Sequence, residues 1–445
     1  MKKYYIFTIG CQMNKADSER LAAYLDNYGL KETKDRRQAD LAFFVTCGVR
    51  QSAEDRVYGL INSLRHENPQ VVIVVTGCLS QRSDVQEKLS GRVDLFLPIF
   101  DLLELDGYLQ ELGVKKNTKN QKEKTPAREY LSIIPKYDSP FLAYVPIGNG
   151  CNNFCSYCVV PYARGREKYR PAKQIIAEVK GLIKKGYKEI VLIAQNVNSF
   201  HNGLSFPELI KAIDALPGDF WLRFATSHPK DMSPELIKAI GQGKHLCEQV
   251  HFAVQSGDDE ILKRMNRGYT AQKYLNQVKK IRLAAQKNKQ ALPIAISTDI
   301  IVGFPGETKR QFLNTVKLMK AVGFDQAFVA RYSPRFGTAS YRMIDDVSLA
   351  EKKRREEVLN KILRRDALKN NKWYINKTVD VLVSGRDRKG GWQGNTRTAK
   401  SVSILGLGRG NFLGKIIPVK ISSVRDFGLT GEYVKEKNEK GNNKQ

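Results

Sequence analysis

Three cysteines crowd one short stretch, GNGCNNFCSYCVVPYARGREKYRP, which runs from Gly148 to Pro171. Cys151, Cys155 and Cys158 stand at C-x3-C-x2-C spacing, with no fourth ligand in the segment. A structural zinc site closes with four protein ligands, and the nearest histidine downstream is His201. Three thiolates on one loop can instead hold three irons of a [4Fe–4S] cluster and leave the fourth iron open. An open position is the mark of a catalytic metal site, because the missing ligand is the place of the substrate.

Three further cysteines, Cys11, Cys47 and Cys78, are spaced by 36 and 31 residues. Each follows an apolar run: YYIFTIG, LAFFVTC and VVIVVTGC. Amphipathic patterns follow the runs, at Asp17–Tyr28, Ser52–Leu64 and Ser80–Leu89. Strand–helix alternation at this spacing predicts an open parallel α/β sheet. Loops at the carboxyl edge of such a sheet lie on one side, so the three thiols are expected to converge there. Free cysteine is often simply buried, and a seventh, Cys247, fits neither triad and reads as a buried hydrophobe.

The elements that must position the central triad come next. Strand candidates are FLAYVPIG, EIVLIAQN, WLRFATS, QVHFAVQSG, IAISTDIIVGF and DQAFVARYSP. Helix candidates lie between them at Lys173–Lys185, Phe206–Leu216, Pro234–Gly241, Asp259–Lys287 and Lys309–Val322. Six such units predict a partial (β/α)6 barrel, whose chemistry sits at the carboxyl ends of the strands. After a charged helix, the runs TVDVLVSG, GNTRTAKSVSI, NFLGKIIPVKISSV and GLTGEYV predict a small β-barrel of about 65 residues. The fold class is α/β, with expected domains at residues 1–118, 137–368 and 370–435. A basic linker is expected at residues 119–136 and a disordered tail at residues 436–445.

The 445 residues carry 74 Lys and Arg against 46 Asp and Glu, a formal charge of +28. Between Glu351 and Gln445 the excess is 23 basic against 10 acidic residues, concentrated where the small barrel is expected. Such charge points to a polyanionic partner, with nucleic acid first and a merely solvated basic surface as the bland alternative. No run is apolar for about 18 residues, so no membrane span is expected. An odd set of cysteines without an export signal suits thiolate ligands in a reducing cytosol.

Tyr157, an aromatic residue before the last cysteine of the central loop, completes a pattern that resembles the radical S-adenosylmethionine (SAM) superfamily. The blocks TIGCQMNKADSE, TGCLSQ, GCNNFCSYCVVPYARGREKYRP, AQNVNSF, VQSGDDEILKRMNRGYT and DIIVGFPGET resemble successive motifs of the methylthiotransferases, over nearly the whole chain. CQMN and GREKYRP are most similar to the branch of tRNA-2-methylthio-N6-dimethylallyladenosine synthases. Val45 before the TC pair, Ala194 in AQN, and Phe252 and Ala253 in HFAVQSG depart from the usual pattern. None of them removes an iron ligand.

The resemblance implies two [4Fe–4S] clusters, one on Cys151, Cys155 and Cys158 and an auxiliary one on Cys11, Cys47 and Cys78. It implies that one SAM donates a methyl group to cluster-bound sulfur and another is cleaved to a 5′-deoxyadenosyl radical. The product is a methylthio group at C2 of N6-dimethylallyladenosine, at position 37 in the anticodon loop of tRNA. An electron donor such as flavodoxin or ferredoxin and a sulfur source are implied, with a TRAM β-barrel holding RNA and a monomer expected. Candidate SAM contacts are Tyr157, Gln195, Asn196, Asn198, Ser227, Gln255, Ser256, Arg267, Gly303 and Glu307. Helix capping, surface charge and an ordinary Gly–Pro turn are the structural alternatives for them. Alternative substrates within the family are N6-threonylcarbamoyladenosine and a ribosomal protein side chain. A non-catalytic iron–sulfur RNA-binding protein is the alternative of another class.

Overall fold

The computed structural model describes residues 1–116, 129–286, 292–408 and 410–435. The first part runs β1 (Lys3–Thr8), α1 (Gln12–Asp26), β2 (Lys31–Glu32), β3 (Leu41–Thr46), α2 (Gln51–Glu67), β4 (Val72–Gly77), α3 (Ser83–Lys88), β5 (Leu95–Leu97) and α4 (Leu105–Glu111). Its strands pair in parallel in the order β2-β1-β3-β4-β5. Every residue of β3, LAFFVT, is buried, because a central parallel strand is covered on both faces. The edge strands β2 and β5 add to the three expected strands. At two and three residues they are too short to show a period.

The expected linker at residues 119–136 is not free over its described part. Tyr130, Leu131 and Ile133 are buried in the N-terminal core beside Leu21, Leu25 and Leu102. Residues 117–128 lie outside the described residues, as does the expected tail at 436–445.

The central part begins with β6 (Leu142–Pro146), followed by a short hairpin of β7 (Gly148–Asn149) and β8 (Lys168–Tyr169) that encloses α5 (Val160–Arg164). It continues through α6 (Ala172–Lys184), β9 (Glu189–Ile193), α7 (Phe206–Asp214), β10 (Trp221–Phe224), α8 (Pro234–Gln242), β11 (Gln249–His251), α9 (Asp259–Arg264), α10 (Ala271–Gln286), β12 (Ala295–Val302), α11 (Lys309–Val322), β13 (Gln326–Arg331) and α12 (Leu349–Asn371). Two three-stranded parallel sheets, β6-β9-β10 and β11-β12-β13, meet through single bridges at Leu222–Leu246 and Ser227–Phe252. Six strands in chain order therefore form the wall of an open barrel. Alternate residues separate its faces. Ile190, Leu192, Ile296 and Ile300 pack outward on the helices, while Val191 and Ile193 face inward and meet Met13 and Ala16 of α1. The N-terminal unit thus fills the first half of the barrel's inner face.

One expected helix is divided. Asp259–Lys287 reads as a single amphipathic run, but the chain leaves the helix between α9 and α10, where Asn266 and Gly268 take left-handed conformations with φ of 56° and 68°. Gly268 adopts this readily; Asn266 holds it because its side chain is engaged at the central cysteine loop.

The C-terminal part is a closed five-stranded barrel of β14 (Thr378–Arg386), β15 (Trp392–Thr396), β16 (Ser401–Leu405), β17 (Ile416–Arg425) and β18 (Gly428–Tyr433). The run GNTRTAKSVSI supplies parts of two strands, reversed at Arg397–Lys400 around Ala399 with φ 58°. This barrel docks on the amino-terminal edge of the central sheet. Arg223 pairs with Glu189 and donates to the carbonyls of Thr396 (2.8 Å) and Arg397 (2.6 Å). Arg397 meets Glu248 at 2.9 Å and Lys400 meets Asp325 at 2.7 Å. Beneath these pairs Trp221, Cys247 and Leu382 form one buried apolar contact.

Candidate metal centre and active site

Cys11, Cys47 and Cys78 follow the carboxyl ends of β1, β3 and β4, and their loops touch. A Cβ on Gly10 would stand 2.6 Å from the Cβ of Cys47, and one on Gly77 would stand 2.5 Å from the carbonyl oxygen of Thr46. Only glycine lets the loops approach so closely. Each cysteine of this triad has a glycine neighbour, at Gly10, Gly48 and Gly77, a signal the sequence reading did not use. Asn14 links two of the loops: its Oδ1 lies 3.2 Å from Cys11 Sγ, and its Nδ2 donates to the Thr46 carbonyl at 2.7 Å.

The central triad lies on the loop enclosed by β7 and β8. Gly150, with φ 85°, opens that loop, and a Cβ there would fall 2.2 Å from the Arg166 carbonyl oxygen. The Gly150 amide donates to Gln195 Oε1 at 2.7 Å. The break after α9 holds the middle of the loop. Asn266 Nδ2 donates to the carbonyls of Asn153 (3.1 Å) and Phe154 (3.0 Å). Ser156 donates its amide to the Met265 carbonyl at 3.1 Å and its hydroxyl to the Arg264 carbonyl at 2.8 Å. Arg267, buried, directs Nη1 to Cys155 Sγ at 3.2 Å, Nη2 to the Ala253 carbonyl and Nε to the Tyr269 hydroxyl. Its guanidinium therefore lies on a triad sulfur.

The two triads are neighbours. A Cβ on Gly48 would lie 3.3 Å from both Cys78 Cβ and Val159 Cγ2, and Val159 follows Cys158. A buried ion pair of Arg164 and Asp17 at 2.6 Å joins the helices that leave the two loops, α5 and α1. A third loop straps both: Arg335 donates to the Val49 carbonyl (3.2 Å) and Gln51 Oε1 (2.7 Å), and the Ser340 amide donates to the Ser156 carbonyl (2.8 Å).

The donor set fits iron–sulfur clusters. Burial, and then the neighbouring Cys78, pushes the Cys47 thiol up to about 12. Burial, and then Cys155, raises Cys158 as well. Thiolates in such a place need a strong local positive charge, and a metal centre supplies it. Among the described residues, no three Cys, His, Asp or Glu side chains gather closely enough to hold a metal ion. Zinc needs each thiolate sulfur about 2.3 Å from one centre, whereas a [4Fe–4S] cluster takes each thiolate on a different iron.

Polar atoms fit a cofactor at the ends of β9 and β10. Asn196 Oδ1, Ser227 Oγ and His228 Nε2 are buried without a partner, and buried polar groups are rarely left so. Burial, then Arg267 and Lys230, pushes His228 down to about 2, so its ring is neutral. Its Nδ1 accepts from the Lys230 amide at 3.1 Å, which leaves the proton on the free Nε2. His228, one residue past the WLRFATS strand, was missed in the sequence.

The other expected contacts are spent within the scaffold. Gln195 holds Gly150, and Asn198 exchanges two 2.9 Å bonds with the His228 backbone. Ser256 accepts from the Asp258 amide at 3.2 Å. Glu307 Oε2 accepts from the Gly303 amide at 2.6 Å and from Arg355 at 2.7 Å, which fixes that turn against α12, while its Oε1 is buried without a partner. Gln255 is buried with φ 67°, and Tyr157 packs with Phe304, Tyr332 and Ile301.

Comparison with known proteins assigns each part. Residues 145–319 match the radical SAM superfamily, residues 3–97 the uncharacterized protein family UPF0004 and residues 372–434 the TRAM domain. A tRNA-2-methylthio-N(6)-dimethylallyladenosine synthase of Clostridium novyi is 40% identical over 449 residues, with 97% of each chain covered. One from Thermoanaerobacter pseudethanolicus is 39% identical, covering 97% of this chain and 92% of the relative. In fold, the chain is similar to the radical SAM methyltransferase TsrM of Kitasatospora setae, with TM-score 0.53, 15% identity and 74% and 72% of the two chains covered. The chain, with its two facing thiol triads, belongs to the family of tRNA-2-methylthio-N(6)-dimethylallyladenosine synthases.

Proposed function

We propose that this protein is a radical SAM methylthiotransferase that places a methylthio group on C2 of N6-dimethylallyladenosine at position 37 of tRNA. The observation that carries this reading is the meeting of two thiol triads at facing loop edges, each one ligand short of a closed site. Two [4Fe–4S] clusters are assigned, to Cys151, Cys155 and Cys158 and to Cys11, Cys47 and Cys78. An aromatic C–H has no acidic proton for a side chain to remove; with SAM, the clusters supply radical chemistry at that carbon and the sulfur to replace its hydrogen.

The chain's own residues hold and orient. Gln195, Asn266 and Ser156 fix the central loop from three sides. Asn196, Ser227 and His228 offer one acceptor, one hydroxyl and one N–H donor to the polar groups of SAM. Arg267 places a fixed positive charge on Cys155 Sγ. The docked barrel and the basic surface hold the RNA, and a flavodoxin- or ferredoxin-like protein provides electrons.

The test is mass spectrometry of tRNA nucleosides from a strain lacking the gene. Loss of 2-methylthio-N6-dimethylallyladenosine, with accumulation of the unthiolated nucleoside, is expected. Loss of the threonylcarbamoyl counterpart instead would assign a different substrate.

A further inference from the structure

The second half of the central barrel has an inner face that none of the described residues covers fully. On β11, β12 and β13 the inward residues include His251, Ser297, Asp299 and Phe328; His251 stands opposite Ser297, and Asp299 opposite Phe328. Phe328 is 43% exposed and the Asp299 side chain 41% exposed. A large aromatic and a carboxylate side by side on an inner sheet face contribute little to stability while uncovered. The first half of the same face is filled by Met13 and Ala16; the second half is left open.

Its polar groups are already ordered. His251 Nε2 lies 3.1 Å from Asp299 Oδ2, and Nδ1 lies 3.0 Å from Ser297 Oγ. One imidazole thus ties the Asp299 carboxylate to the Ser297 hydroxyl and fixes both side chains. Asp299 Oδ1 is left facing the opening with no hydrogen bond among the described residues. Arg50, three residues past Cys47, overhangs the Phe328 ring at 5.8 Å from its centroid.

The place of this patch is set by the pleat. Ile301, two residues beyond Asp299 on the same face, packs against the cluster of Ile261, Met265, Phe304 and Tyr332, on which Tyr157 of the central cysteine loop also packs. Two residues of strand span about 6–7 Å, so the patch lies one pleat from the apolar cluster that backs the central cysteine loop, while Arg50 ties its rim to the auxiliary loop. A flat ring that stacks on Phe328 can carry one N–H toward Asp299.

We propose that this patch receives the target base, with Phe328 as its stacking surface and Asp299 Oδ1 as the acceptor for the single N–H of an N6-monosubstituted adenine. The inference rests on the tRNA methylthiotransferase reading and adds the residues that read the base. An adenine substituted twice on N6 has no such hydrogen and leaves the carboxylate unpaired.

The test is equilibrium binding of two anticodon stem-loop RNAs to the cluster-loaded protein, by fluorescence anisotropy. The loops differ only in carrying an N6-monoalkyl or an N6,N6-dialkyl adenosine at the target position. The unmodified protein is expected to prefer the monoalkyl loop at least tenfold in Kd. Asp299→Asn, which keeps size and an acceptor, should retain a preference. Asp299→Leu, which keeps size without an acceptor, should bring the two within about twofold, with iron content per chain as the check on folding. Phe328→Ala should weaken both loops alike, and Phe328→Trp should restore them. A preference that survives in Asp299→Leu, or none in the unmodified protein, overturns the inference. Discrimination in binding with methylthiolation of neither RNA would overturn the assigned reaction and leave the contact standing.

Discussion

At the scale of single residues, the thiols divide the work by position. Cys47, Cys78 and Cys155 are buried, and burial raises Cys47 and Cys158, so neither triad favours thiolates without a metal centre. Anaerobic reconstitution should therefore bring about eight irons per chain, four for each [4Fe–4S] cluster. Replacing Cys151, Cys155 and Cys158 with Ala should remove about half, and replacing Cys11, Cys47 and Cys78 should remove the other half. Iron and sulfide analysis reads the result; zinc, or about four irons in the unmodified chain, would contradict the assignment. Arg267 makes the same point about charge: placed on a surface it would be solvated, but here its guanidinium is fixed on Cys155 Sγ.

At the scale of elements, the gap between α9 and α10 does what neither helix could. A continuous helix would keep the amides and carbonyls of 264–266 in its own ladder. The break frees the Arg264 carbonyl for the Ser156 hydroxyl and the Met265 carbonyl for the Ser156 amide. Asn266→Ala removes two hydrogen bonds, at about 0.5–1.5 kcal/mol each, and also disfavours the left-handed conformation at φ 56°. In a background lacking the N-terminal triad, this substitution is expected to lower iron retention on the central triad several-fold. Asn266→Gly, which keeps the conformation and loses only the side-chain bonds, should fall between. Equal retention in all three would mean that the loop is held elsewhere.

At the scale of the whole molecule, the TRAM barrel and the triads lie at opposite edges of the central sheet. Glu248 and Asp325, which pair with Arg397 and Lys400 of the barrel, stand immediately before β11 and β13, whereas the cysteine loops leave the carboxyl ends. A tRNA that enters the open half-barrel must therefore extend past the sheet to touch the barrel, which suits a long stem better than an isolated loop. Deleting Lys372–Gln445 would uncover Trp221 and Cys247 and leave Arg223 without two carbonyl partners, so exposed charges give a cleaner test. Arg388, Lys389 and Lys415 are exposed on the barrel. Changing all three to Gln should reduce the slope of log K against log salt for tRNA by about two, at roughly 0.7–0.9 per phosphate contact. An unchanged slope would remove the barrel's exposed face from the RNA interface.

The chain's covalent order determined a good deal by itself. Cysteine spacing and apolar runs placed six thiols at strand ends, and strand–helix alternation led to the parallel sheets, because both signals repeat over short distances along the chain. Only the tertiary structure decided that the two triads abut across Gly48 and Val159, since no local period records which loops meet. It also decided that Gln195 and Asn198 serve the scaffold, while Asn196, Ser227 and His228 keep free atoms. These residues look alike in sequence and differ only in what stands opposite. His251, Asp299 and Phe328 make the case most plainly. Inward and outward positions alternate in every strand, and which inward face is filled depends on where α1 of a distant segment comes to rest. Burial is a property of neighbours, and neighbours from separate parts of the chain are chosen by packing.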